Sequence, residues 1–163
     1  MMVGSESEVV DLATELVSYP SVNPPGDEAA VVDYVCDRLS ESPVPFSLTT
    51  HPVEGDRSNI VARAGDPSHG SLILTGHMDV VPATETEWTQ SPFDPYVTDG
   101  RLVGRGAADM KGALAAMIVA TEAYWEETSA PGEVILAFVI GEEVGGIGTQ
   151  HLVDVGIEAD AAI

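Results

Sequence analysis

Lysine is almost missing from this 163-residue chain. Lys111 is the single example, and lysine plus arginine total 6 against 27 aspartates and glutamates, a formal charge of −21. A chain this poor in basic residues is not a nucleic-acid binder, because a phosphate backbone demands a basic face. The acids are scattered along the whole sequence and form no terminal block, so they describe a surface. Such a surface resembles those of proteins that stay soluble in concentrated intracellular salt, where self-repulsion is screened within about 3 Å at molar ionic strength. In dilute buffer the same repulsion should destabilise the fold. Cysteine is equally scarce: Cys36 stands alone, which excludes an internal disulfide. No apolar run approaches the ~18 residues that a membrane-spanning helix needs, so no membrane partner is expected. The opening Met1-Met2-Val3-Gly4-Ser5-Glu6 has neither the basic nor the apolar region of a secretory signal, which makes the cytoplasm the expected location. What is present is a globular composition, 44% hydrophobic, at the length of one domain with a real core.

Ser5-Glu6-Ser7-Glu8 fits a capping box, and Val9, Leu12, Ala13, Leu16 and Val17 follow at helical spacing. Pro20, Pro24 and Pro25 break that helix, and Asp27 is placed to cap a second one that buries Val31, Val35, Cys36 and Leu39. Phe46 to Val53 and Asn59 to Ala64 read as strands separated by a Gly-Asp turn. Ser71 to Thr75 is an apolar run of buried-strand type that delivers the chain to Gly76-His77-Met78-Asp79. A long irregular stretch follows from Pro82 to Gly100, and loops of that length are usually functional. A helix is expected from Met110 to Glu127, a buried strand from Glu133 to Ile140, a short helix through Leu152 and another strand from Ala159. This alternation predicts an α/β fold, a mainly parallel sheet with helices on both faces.

Three places carry residues suited to chemistry. His77 and Asp79 are spaced i and i+2 at a strand end, so one ring nitrogen could meet a cation while the acid fixes the other. A satisfied hydrogen-bonded pair is the plainer alternative. Asp109 precedes a helix, where it is either an N-cap or a bridging ligand between two cations. Glu142 and Glu143 are adjacent acids after a buried strand. They repel each other unless a cation or proton is shared, or else they mark a solvated strand end. All three places fall at the ends of successive elements of one sheet, where open α/β folds hold ligands. Carboxylate plus imidazole without thiolate suits Zn²⁺, Co²⁺ or Mn²⁺.

The stretches Gly76-His77-Met78-Asp79-Val80-Val81-Pro82, Gly104-Arg105-Gly106-Ala107-Ala108-Asp109-Met110-Lys111-Gly112 and Gly141-Glu142-Glu143-Val144-Gly145-Gly146 resemble the M20 metallopeptidase family. The nearest branch is that of acetylornithine deacetylase and succinyl-diaminopimelate desuccinylase, and Trp88 and Ser91-Pro92-Phe93 extend the similarity. The resemblance implies a zinc-peptidase-like catalytic domain with two divalent metal ions, zinc first and cobalt or manganese as alternatives. It implies metal ligation by His77, Asp109 and Glu143, with Asp109 bridging. Asp79 would orient His77, and Glu142 would be the general base that activates water and returns the proton to the leaving amine. A cis peptide is implied between Asp109 and Met110. The substrate would be a small molecule, an N-acyl amino acid or a peptide, cleaved at a linear amide.

Two further ligands of the family pattern have no counterpart here, and neither does the lid or dimerisation domain. Residues 1–163 are therefore expected to be the N-terminal portion of a single metal-dependent catalytic domain, inactive or nearly so alone. A homodimer is conceivable only for the full-length protein. His51, His69 and His151 show no partner pattern and are expected to be non-ligands. Competing readings are a non-catalytic fragment or pseudogene product, a dipeptidase or carboxypeptidase of the same family, and an acidic cation-binding protein.

Overall fold

The computed structural model describes residues 5–128 and 131–163. Helix α1, Glu6–Ser18, opens with the expected capping box: Ser5 Oγ accepts from the Glu8 amide and the Glu8 carboxylate accepts from the Ser5 amide. It buries Leu12, Ala13, Leu16 and Val17. Helix α2, Ala29–Ser40, is not capped by Asp27; Glu28 holds the cap position and makes no side-chain capping bond. Glu28 is fully buried and its carboxylate is already committed to Arg57, which is why the capping role goes unfilled.

Strands β1, Ser47–Glu54, and β2, Arg57–Ala64, pair antiparallel. Strand β3, Asp66–His77, is longer than its apolar run, gaining an exposed start before an irregularity between Asp66 and Ser71. The stretch after it is less irregular than its prolines suggest. It holds a 3₁₀ turn at Glu85–Glu87 and a small hairpin, β4 Tyr96–Thr98 and β5 Arg101–Val103. Asp99 and Gly100, both at positive φ, form its two-residue turn, the Asp-Gly signal of a type I′ hairpin. A π-type turn at Ala107–Lys111 leads into α3, Gly112–Glu127. Strand β6, Gly132–Val139, helix α4, Ile147–Asp154, and strand β7, Ala161–Ala162, complete the order.

The main sheet runs β1-β2-β6-β3-β7. Strands β3 and β6 are parallel, as are β3 and β7, whereas β2 meets both β1 and β6 antiparallel. The α/β class is as expected, with a hairpin extending its parallel half. Side chains alternate across the pleat. Ile60, Ala62, Leu136 and Phe138 face a core shared with α1, α2 and α3, and Val61, Ile135, Ala137 and Val139 face Leu152 of α4. Strand β6 is thus covered on both sides, which explains its nearly unbroken apolar sequence. Among the described residues no helix is long and apolar enough to cross a membrane.

Candidate metal centre

Parallel pairing puts the C-terminal ends of β3 and β6 side by side, with His77 opposite Val139. His77 closes β3, and Glu142 and Glu143 sit in the turn just past β6. Asp109 arrives from the turn before α3, its peptide bond to Met110 in the cis form. The three elements bring one nitrogen or oxygen from each of His77, Asp109 and Glu143 within 4.8 Å of one another. Among the described residues this is the group of three able to hold a metal ion; His51, His69 and His151 stand apart from it, the first and last with rings 6.2 Å apart.

The imidazole is oriented for ligation. Its Nδ1 lies 2.9 Å from the backbone oxygen of Asp79, which can only accept, so the proton sits on Nδ1. Nε2, 2.9 Å from Asp109 Oδ1 and 3.9 Å from Glu142 Oε2, also meets oxygens that only accept, so without a cation it too carries a proton, and a cation that displaces this proton takes the Nε2 lone pair. Burial alone would lower the His77 pKa, but its bonds to Asp79 and Asp109 and the charges of Asp79 and Glu142 hold it above the ordinary value. Burial pushes the Glu143 carboxyl up; His77 opposes this, while Asp109, Asp79 and Glu142 reinforce it. A divalent cation relieves both perturbations at once, as it favours a neutral imidazole and ionised carboxylates. The donor set of one imidazole and two carboxylates suits a borderline or hard divalent ion.

Asp79 reaches the ring through its carbonyl; its carboxylate, 3.6 Å from Nδ1, has other work. Fully buried, it accepts from Asn23 Nδ2 at 2.9 Å, from the Glu142 amide at 3.1 Å and from the Glu143 amide at 3.2 Å. One acid therefore ties the loop after α1, the end of β3 and the turn after β6 together. The loop after α1 is fastened to the same strand end by Ser21 Oγ, which donates to the Met78 carbonyl, and by the Val22–Val80 bridge. Asn59 of β2, also fully buried, grips the other side of the Glu142–Glu143 turn, accepting from the Ile140 amide and donating to the Gly148 carbonyl.

Lys111, which the sequence singled out only by its rarity, is completely buried, and its ammonium donates to the Tyr19 carbonyl. Burial pulls its pKa down to about 7, with the Asp79 carboxylate acting in the opposite direction. Asn23, Asn59 and Tyr19 are positioning groups that no motif announced, since lone polar residues in strands and loops carry no periodic signal. Arg105, part of the glycine-rich stretch Gly104 to Gly112, stacks over the Trp88 ring at 5.4 Å, and its buried Nε has no partner among the described residues.

The centre is open to solvent. Side-chain exposure is 77% for Asp109 and 52% for Glu142, and two cavities of about 440 and 300 Å³ include no member of it.

Comparison with known proteins agrees with this geometry. Residues 73–163 match the family described as Peptidase family M20/M25/M40. The chain is 36% identical, over 97% of its length, to N-formyl-4-amino-5-aminomethyl-2-methylpyrimidine deformylase of Bacillus subtilis, and covers 38% of that protein. It is 38% identical, over 92% of its length, to succinyl-diaminopimelate desuccinylase of Methylorubrum extorquens, covering 40% of it. The chain thus spans about two fifths of the length of these relatives. Human carnosine dipeptidase 1 superposes with a TM-score of 0.78 at 26% identity, over 91% of this chain and 35% of that one. An M20 family metallo-carboxypeptidase from Sulfolobus solfataricus gives 0.80 at 22% identity, over 96% and 36%. With the family's match running over His77, Asp79, Asp109, Glu142 and Glu143 and over α3 and α4, this chain belongs to peptidase family M20/M25/M40.

Proposed function

We propose that this chain is the metal-binding part of an amidohydrolase that removes an acyl group from an N-acyl amino acid or related small metabolite. The observation that carries the reading is the convergence of His77 Nε2, Asp109 and Glu143 beside the free-reaching carboxylate of Glu142. His77, Asp109 and Glu143 would hold the metal, Asp109 bridging two ions of which zinc is the first choice and cobalt or manganese the alternatives. Such ions supply Lewis acidity toward a carbonyl and a water. Glu142 takes the proton from the attacking water and delivers it to the leaving nitrogen; its exposure gives it the freedom to do both. Asp79 keeps Glu142 and Glu143 in place through their amides and fixes the imidazole through its carbonyl.

Two similar relatives, a deformylase and a desuccinylase, are named for acyl removal, which favours the deacylase reading. The structural likeness to a carnosine dipeptidase favours a dipeptidase as the second. In either case residues 1–163 form the N-terminal portion of one catalytic domain, and the remaining ligands and the lid and dimerisation region lie elsewhere in the polypeptide. The open site and the two-fifths coverage of the relatives support that division.

The deciding experiment compares Glu142→Ala with the parent in the natural polypeptide that contains this chain, assayed on N-formyl, N-acetyl and N-succinyl amino acids and on dipeptides. Loss of turnover by about 10²–10⁴ with metal content unchanged is the expected result. Undiminished hydrolysis with metal still bound refutes the assignment of the base, and turnover of dipeptides alone selects the second reading.

A further inference from the structure

The Arg57 guanidinium is 9% exposed and paired in bidentate fashion with the fully buried Glu28 carboxylate, Nε to Oε2 at 2.8 Å and Nη2 to Oε1 at 2.6 Å. Its remaining nitrogen, Nη1, reaches Glu54 at 3.0 Å. One glycine packs against it and a second stands beside it. A Cβ placed on Gly26 would lie 2.6 Å from Arg57 Cζ and Nε, and one on Gly141 would lie 3.3 Å from Nη2. Gly26 thus lies against the guanidinium itself, whereas Gly141 shares its place with Ile147, whose Cγ1 would be 2.7 Å from that Cβ; both glycines have positive φ, so neither position readily takes a side chain.

The glycines belong to the two loops that meet at Asp79. Gly26 closes the turn that starts at Val22, its amide bonded to the Val22 carbonyl, and this turn presents Asn23. Gly141 opens the turn that presents Glu142 and Glu143, its carbonyl accepting from the Gly146 amide. On one side the loops are joined by the Asp79 carboxylate, and on the other by the Arg57–Glu28 pair.

We infer that Arg57 and Glu28 are positioning residues of the metal centre: the buried pair is a spacer that sets how far the Glu142–Glu143 turn stands from the loop carrying Asn23. This rests on the reading of Glu143 as a ligand and adds residues that touch neither metal nor substrate. The guanidinium does this better than any other side chain because it is flat, rigid and fixed by two parallel hydrogen bonds. Stability gives little reason for the pair, since a buried ion pair can often be exchanged for apolar residues without loss.

That last point supplies the test. The full chain is compared with Glu28→Leu/Arg57→Met, which removes both charges together, and with Arg57→Lys, which keeps the charge and loses the flat fork. Three quantities are read: the melting temperature, hydrogen exchange at the Glu142 and Glu143 amides relative to amides of α1 and α3, and affinity for Co²⁺ alone by its visible absorption. The expected result is a melting temperature near that of the parent, exchange at the two amides faster by tenfold or more, and Co²⁺ affinity lower by tenfold or more. Arg57→Lys should fall in between, and it decides the matter if the double variant does not fold. Unchanged exchange at the two amides, or exchange that rises equally in α1 and α3, overturns the inference. A parent chain that gives no Co²⁺ spectrum counts against the metal reading, while the amide exchange still judges the spacer.

Discussion

Asp79→Asn tests how firmly one carboxylate holds the centre together. The side chain is completely buried and takes three hydrogen bonds, two on Oδ2 from Asn23 and the Glu143 amide and one on Oδ1 from the Glu142 amide. Asparagine has nearly the same shape but only one acceptor atom. Its oxygen can keep the two bonds at Oδ2, and its NH₂ then faces the Glu142 amide, donor against donor. The lost charge-assisted bond, with the part-buried Glu142 amide left without this acceptor, costs about 1.5–3 kcal/mol. Conversion of the other two bonds from charged to neutral removes about 0.5–1 kcal/mol each. The sum is about 2.5–5 kcal/mol, a large part of the ~5–15 kcal/mol that holds an ordinary domain folded. At about 2–4 °C per kcal/mol for a domain of this size, the melting temperature should fall by roughly 10 °C. Lys111 adds to the effect, because Asp79 is the charge that opposes the burial of its ammonium. Thermal and urea unfolding followed by circular dichroism in 1 M KCl measures the loss without interference from surface repulsion. A loss under about 1 kcal/mol would mean that the three bonds are replaced by solvent at little cost, and the view of Asp79 as the tie between loops would be wrong.

Two further outcomes are expected. Burial would raise the Glu122 pKa, but both nitrogens of the Arg38 fork and the Ser42 hydroxyl donate to its carboxylate and hold it below the usual glutamate range. A depressed folded-state pKa contributes stability above the unfolded value and loses it as pH falls through the folded one, so the gap between parent and Glu122→Gln should be constant near neutrality and close below about pH 4.5; a gap that does not narrow in acid refutes this. With a net charge of −21, the melting temperature should climb as KCl rises from 0.1 to 1 M and the screening length shrinks from about 10 to 3 Å, and a flat salt dependence would show that the acids repel one another too weakly to matter.

Local rules read correctly where residues act on near neighbours. The capping box at Ser5, the apolar spacing of α1 and α3 and the buried run of β6 are all present as patterns within one turn or a few residues. The acids of the candidate centre were visible for a related reason: each interrupts or ends such a pattern. What pattern could not show was the wiring between segments. Asn23 and Asp79 are 56 residues apart, Asn59 and Ile140 are 81 apart, and Arg57 and Glu28 are 29 apart. Asp27 reads as the cap of α2 because aspartate is a good cap in isolation, while the commitment of Glu28 to Arg57 from β2 leaves no trace in the local pattern. The hairpin around Asp99-Gly100 is masked by the prolines that precede it although its turn signal is local.

The burial of Lys111 leaves the folded residues 1–163 without a lysine open to amine chemistry. Lys111 is the single lysine of these residues, and the fold seals it behind Tyr19. An acylating reagent or an aldehyde cross-linker meets no lysine on the folded surface of these residues. A label that does enter at Lys111 records a moment when the wall between α1 and the start of α3 has come apart. Because the same helix start carries Asp109, the count of labelled molecules is a direct clock for how often the candidate centre itself is dismantled.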